Sequence, residues 1–178
     1  MKKHLSILLL LAIGAVAYGQ NVHYDRGYAW SLGVGAYTGS ALERAYEGIG
    51  ASVYLEQGFN FGNGLFVGGG FGAVATTDMA VSVYNGMAFP VFAEVRYSFL
   101  DKGFSPFASF KTGALLCHKG PFFAPAIGFD FGRCSLQLQY INYPDHYIVE
   151  NVNDRLQWLG LGLRDGGRAV SVNLAVNF

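Results

Sequence analysis

The stretch Phe89-Pro90-Val91-Phe92-Ala93-Glu94-Val95-Arg96-Tyr97-Ser98-Phe99 has a period of two. Phe89, Val91, Ala93, Val95, Tyr97 and Phe99 fall on one side, and Phe92, Glu94, Arg96 and Ser98 on the other. Successive side chains of a strand point to opposite faces. The stretch therefore predicts a β-strand with one wholly apolar face and one face that carries its charges.

The same alternation recurs on both sides of it. Tyr28, Trp30, Leu32, Val34 and Ala36 alternate with Ala29, Ser31, Gly33, Gly35 and Tyr37. Ala51, Val53, Leu55, Gln57, Phe59 and Phe61 alternate with Ser52, Tyr54, Glu56, Gly58 and Asn60. Leu65, Val67, Gly69, Phe71 and Ala73 alternate with Phe66 and several glycines. Further strands are predicted over 104–115, 122–131, 135–143 and 168–178. The connections alternate too. Gly62-Asn63-Gly64, Asp101-Lys102-Gly103 and Gly132-Arg133-Cys134 are tight turns, whereas 39–48, 77–86, 116–121 and 144–167 are longer. Short turns on one rim and longer loops on the other suit a membrane barrel with periplasmic turns and outer loops.

Leu156 to Arg164 has the pattern of one more strand, followed by a turn at Asp165-Gly166-Gly167. Nine strands would break the even number of single-chain bacterial barrels. Residues 156–167 are therefore assigned to an outer loop or to the upper part of the last hairpin. The predicted fold class is all-β, a closed antiparallel transmembrane β-barrel of about eight strands, with ten as the alternative.

Composition agrees. Charged residues make up 13% of the 178 residues and hydrophobic ones 52%, against roughly 25% charge in a soluble domain. The net charge is zero, which gives nucleic acid no electrostatic reason to bind. Met1-Lys2-Lys3 followed by the apolar run Leu5–Ala17 is read as a cleaved export signal over 1–19, with small residues at Ala17-Tyr18-Gly19 before Gln20 and, as the alternative cleavage point, Ala15-Val16-Ala17 before Tyr18. The remainder, 20–178, is one barrel domain. The run is too short to span roughly 30 Å of hydrocarbon as a helix. A membrane-spanning chain without such helices must close its strands into a barrel.

Face polarity sets the orientation. Turned inward, the polar face holds Glu56, Glu94, Arg96, Lys111, Asp130, Gln137, Gln139 and Asn173. The opposite arrangement, a soluble barrel with the apolar face inside, crowds large aromatics into a narrow interior and leaves few charges outside. With the polar face inward, Tyr28, Trp30, Phe59, Phe61, Tyr97, Phe99, Phe129, Phe131 and Phe178 gather near the periplasmic ends as an aromatic girdle. Phe89, Phe123 and Tyr140 fall near the outer rim. Pro90, Pro106 and Pro125 are expected near strand starts, where a missing ladder donor is tolerated.

The chain ends in Val170, Val172, Leu174, Val176 and Phe178, an alternating strand closing on a terminal aromatic. It resembles the small bacterial outer-membrane proteins of the X, A-barrel and W types, by pattern over 27–178 rather than by residue identity. That resemblance implies the cell outer membrane as location, its lipid as partner, and recognition of the strand ending at Phe178 by the barrel-assembly machinery.

Candidate chemistry is sparse. The inward charges read as a structural network filling the lumen, since an eight-stranded barrel is plugged by its own side chains. A polar path through them is the functional alternative. His118 and His146, the latter beside Asp145, lie on the outer side, where lipid-editing barrel enzymes place a histidine. No serine stands at a telling spacing, and no catalytic, cofactor or metal site is assigned. The glycines around Phe71 lack the helix and Lys-Ser/Thr pair of a phosphate loop and are read as allowing close strand packing or curvature. The expected role is structural or surface interaction rather than catalysis. A porin-like channel or a carrier for small hydrophobic compounds comes second, and a lipid-modifying enzyme third.

Cys117 is placed at the outer rim and Cys134 in a periplasmic turn, roughly 25 Å apart along tilted strands. A disulfide needs Cα atoms within about 7 Å. Thiol titration of the denatured, unreduced monomer is expected to find both thiols free. Finding neither would overturn this topology.

Overall fold

The computed structural model describes residues 22–40, 48–76, 87–116, 120–143 and 167–178. The export signal, the loop histidines, Cys117 and the questioned segment 156–167, apart from Gly167 at the start of the last strand, lie outside the described residues. A 3-10 turn, Val22–Tyr24, precedes eight strands. They are β1 (Gly27–Ser40), β2 (Gly48–Asn60), β3 (Leu65–Thr76), β4 (Met87–Ala88 and Pro90–Ser98), β5 (Phe104–Leu115), β6 (Gly120–Phe131), β7 (Cys134–Tyr143) and β8 (Gly167–Asn177). The two parts of β4 continue one register against β3, from Ala75↔Met87 to Leu65↔Tyr97, and are parted at Phe89.

Each strand pairs antiparallel with its neighbours in the chain, and β1 also pairs with β8 from Ser31↔Asn177 to Ser40↔Arg168. The ring is closed, so no edge is left for a ninth strand to join. The count is eight. Following the register from Trp30 through Gln57, Gly69, Ala93, Thr112, Phe123, Asn142 and Arg168 leads back to β1 at Ser40, ten residues further on. This stagger is the barrel's shear, and with the strand number it sets the tilt and the width of the interior.

The tight turns depend on glycine. Gly62, Gly64 and Gly132 have φ of 80°, 82° and 59°, in the left-handed region that other residues avoid. In the first turn Leu65 N donates to Asn63 Oδ1 at 3.2 Å. The glycines of β3 serve a different end. Gly68, Gly70 and Gly72 face inward, and a Cβ on each would strike the ring of Phe66, Phe92 or Tyr54, respectively. Their bare backbone makes room for three aromatic rings in a narrow interior.

Pro125 departs from the expectation of rim placement. It is the sixth residue of β6 and faces Phe110 of β5. The ladder to β7 has Phe123↔Asn142 and resumes at Ala126↔Gln139. The gap falls where proline has no N–H to offer, and the register carries across it unchanged. The missing donor is absorbed within the wall.

The exterior is almost wholly apolar. Arg168, at the loop end of β8, is the only charged side chain that the described strands turn outward, and the other exposed charges, such as Asp25, Arg26, Asp101, Lys102 and Arg133, belong to the turn end. Gln57 is the outward polar residue nearest the girdle, and its Oε1 accepts from Tyr28 Oη at 2.6 Å.

Gly68→Val would press two methyl groups into Gly58 and the Phe66 ring, since even a Cβ at 68 would lie 2.9 Å from Gly58 Cα and 2.6 Å from Phe66 Cζ. Urea unfolding in lipid vesicles should show a loss of about 1–3 kcal/mol, the range of overpacked cores.

Candidate functional site

The barrel interior divides into two layers. The half nearer the turns is polar and charged. The half nearer the loops is mainly apolar, made by Tyr37, Tyr54, Val74, Ala88, Phe92, Leu115, Phe122, Ala124, Ile141 and Ala169, with Ser52, Gln139 and Ser171 buried at the same levels. Edge-to-face contacts run from Tyr54 to Phe92 (6.2 Å between centroids) and on to Phe122 (6.4 Å).

The charged layer holds two clusters. In one, Arg96 of β4 donates to Asp130 of β6, which also accepts from Ser98 Oγ at 2.8 Å and Ser135 Oγ at 2.9 Å. Asn177 Nδ2 donates to Ser135 Oγ at 2.7 Å. The guanidinium lies 3.6 Å from the centroid of the Phe107 ring. In the other, Lys111 of β5 donates to Glu56 of β2 and stands 3.8 Å from Glu94 of β4. Ser31 Oγ donates to Glu56 at 3.1 Å. The ammonium sits 5.4 and 5.0 Å from the ring centroids of Tyr54 and Phe92. Each interior cation thus has a carboxylate on one side and an aromatic face on another. Both interactions stabilise a cation taken out of water.

Gln137, Gln139 and Asn173 occupy the β7–β8 wall. Asn173 Nδ2 donates to Gln139 Oε1 at 3.1 Å and to Ser171 Oγ at 3.0 Å. The structure thus joins Arg96 to Asp130, and Lys111 to Glu56 and Glu94, while the amides form a separate strip. Ser98, Ser135, Asn177 and Phe107 complete the Arg96 cluster and were not singled out from the sequence. Their inward parity was the available signal. His23 had no such signal, because it lies in a turn outside any periodic segment.

His23 closes the turn end. It is 4% exposed. Its Nδ1 lies 3.3 Å from Asn60 Oδ1 and its Nε2 3.9 Å from Asp130 Oδ1. Burial, with the Arg96 cation beside it, lowers its pKa from 6.5 to about 4. A void bordered by His23, Ser31, Glu56, Glu94 and Arg96 has a volume of about 10 Å³, room for one water at most. Among the described residues no group of three or more side chains is arranged to hold a metal.

The predicted girdle residues lie on the outer wall at the turn end. Tyr28, Trp30, Phe59, Phe61, Tyr97, Phe99, Phe129 and Phe178 are exposed there, and Phe131 is half-buried. Trp30 and Phe178 stack at 4.1 Å between ring centroids. Phe104 joins the belt by stacking on Phe129 at 5.2 Å.

With this geometry in view, the chain has the fold of a small outer-membrane barrel. Among solved structures it is similar to Neisserial surface protein A, with a TM-score of 0.54 and 10% identity over 86% of this chain and 99% of that one. No family model and no curated protein matches the sequence.

Asp130→Ala leaves the Arg96 guanidinium buried without its carboxylate. The expected cost is about 3–5 kcal/mol in urea unfolding from lipid vesicles. Adding Arg96→Met, which removes the stranded charge, should recover a large part of that loss.

Proposed function

We propose that this chain is an integral outer-membrane barrel with a sealed lumen, serving a structural or surface-interaction role. The observation that carries the reading is the polarity of the wall. Outward positions between the rims are almost wholly apolar, while ion pairs and most amides are turned inward. Such an exterior is stable against hydrocarbon and aggregates in water. The aromatic belt then lies at one lipid–water interface, where rings are favoured. The turns face the periplasm and the loops face outward. Residues 1–19 act as the cleaved export signal, and the strand ending at Phe178 is the segment offered to the barrel-assembly machinery. The seal rests on the two layers in the lumen: paired charges at the turn end and an aromatic cluster at the loop end.

A second reading, a carrier for small hydrophobic compounds, draws on one observation. Where β4 is parted at Phe89, the outer wall bears an apolar groove of about 590 Å³, bordered by Leu55, Gln57, Phe71, Val91 and Leu116 over a floor of glycine. Lateral passage would need this groove to communicate with the lumen.

Unboiled protein from the outer-membrane fraction should migrate differently from boiled protein, because a closed barrel resists detergent until heated. Planar bilayers should show no steady conductance. A stable ion current would remove the sealed-lumen reading, and recovery of the protein from the soluble periplasm would remove the membrane reading with it.

A further inference from the structure

The turn Val22–Tyr24 sits in the periplasmic mouth rather than beneath it. His23 enters the lumen between Asn60 and Asp130, T-shaped against Phe66 at 6.1 Å between ring centroids. Tyr24 Oη donates to the carbonyl of Ser98 at 2.9 Å. This segment belongs to no strand, so side-chain contacts such as these, rather than a β-ladder, hold it in the mouth. Behind His23 lie the small void and the charged layer.

We propose that residues 22–26 form a pH-operated stopper, seated in the mouth when His23 is neutral and released when His23 takes a proton. Release opens the charged layer to the periplasm. The apolar layer at the loop end stays in place, so the result is a one-sided cavity, not a pore.

The neighbours of His23 decide the sign. β2 presents Glu56, β4 presents Glu94 and Arg96, and β6 presents Asp130; β3 and β8 present Phe66 and Asn177, which do not titrate. Asp130 and Glu56 favour an imidazolium. Asp130, however, already accepts from Arg96, Ser98 and Ser135. Loss of water and the Arg96 cation oppose the proton more strongly, which is why the seated ring has its pKa lowered to about 4. Once released, the ring regains its ordinary value of 6.5. The seat is therefore at full strength above about 6.5 and weakens roughly tenfold per pH unit as pH falls toward 4.

The test uses the full chain in lipid vesicles, with Cys117 and Cys134 replaced by serine. Spin labels are placed at Asp25→Cys in the stopper and Lys102→Cys in a turn, both exposed positions. Their distance distribution should be narrow at about pH 7.5 and gain a long, broad component at about pH 4.5. His23→Phe, which fills the seat without titrating, should keep the narrow distribution at both. An unchanged distribution in the His23 protein, or equal broadening in the variant, overturns the proposal. Should phenylalanine fail to seat, the His23 ring is titrated directly by NMR in the unlabelled protein. A midpoint well below 6.5 supports the stopper, and one at or above 6.5 overturns it.

Discussion

The structure depends on the ladder between β1 and β8. In hydrocarbon an unpaired backbone N–H or C=O costs several kcal/mol, and a strand at a sheet edge carries a row of them. Pairing Ser31–Ser40 with Arg168–Asn177 removes the last edge. The closure runs to the end of the chain. Phe178 N donates to Trp30 O at 2.8 Å, Trp30 N donates to Phe178 O at 3.2 Å, and the two rings stack over the same seam.

Closure with eight strands and a stagger of ten fixes a narrow interior, and the width dictates what can fill it. Large rings fit only where the facing backbone is bare, which explains the inward glycines of β3 beneath Phe66, Phe92 and Tyr54. Charges fit only where they are paired, and Arg96 and Lys111 each find both a carboxylate and a ring. Glu94 is the least satisfied member. Its ion-pair partner among the described residues is Lys111 at 3.8 Å, and its other close neighbour is the Glu56 carboxyl. Lys111 binds Glu56 more closely, and so the lumen carries one carboxylate more than it has close cations to pair.

Much of the architecture was legible because a strand writes its faces into the sequence at a fixed period. The stretch 89–99 announces both an apolar wall and an inward Glu94 and Arg96, and the structure turns them that way. Tight turns were legible through their glycines. Other features do not follow from a period. Alternation says that Tyr54 and Glu56 point the same way, but not that one joins an aromatic layer and the other an ionic one; that depends on the register across eight strands. Pairing inside the lumen is equally non-local, since Arg96 and Asp130 are 34 residues apart in the chain. Pro125 misled because a missing donor suggests a strand end, whereas a long ladder can skip one rung. His23 was hidden because a turn carries no period.

The two interior layers lie in series along the axis, and they fail for different reasons. The ionic layer is loosened by salt, protons or loss of one partner, whereas the aromatic layer is loosened by lost volume. In the proposed sealed lumen a single substitution therefore acts mainly on one layer, except at Lys111, whose ammonium lies against the Tyr54 and Phe92 rings and ties the two together. Opening the proposed seal would require changes of unlike chemistry, one to the electrostatics and one to the packing. A drifting sequence seldom makes both at once. Under that proposal, variation in one half of the lumen leaves the other half to keep it closed.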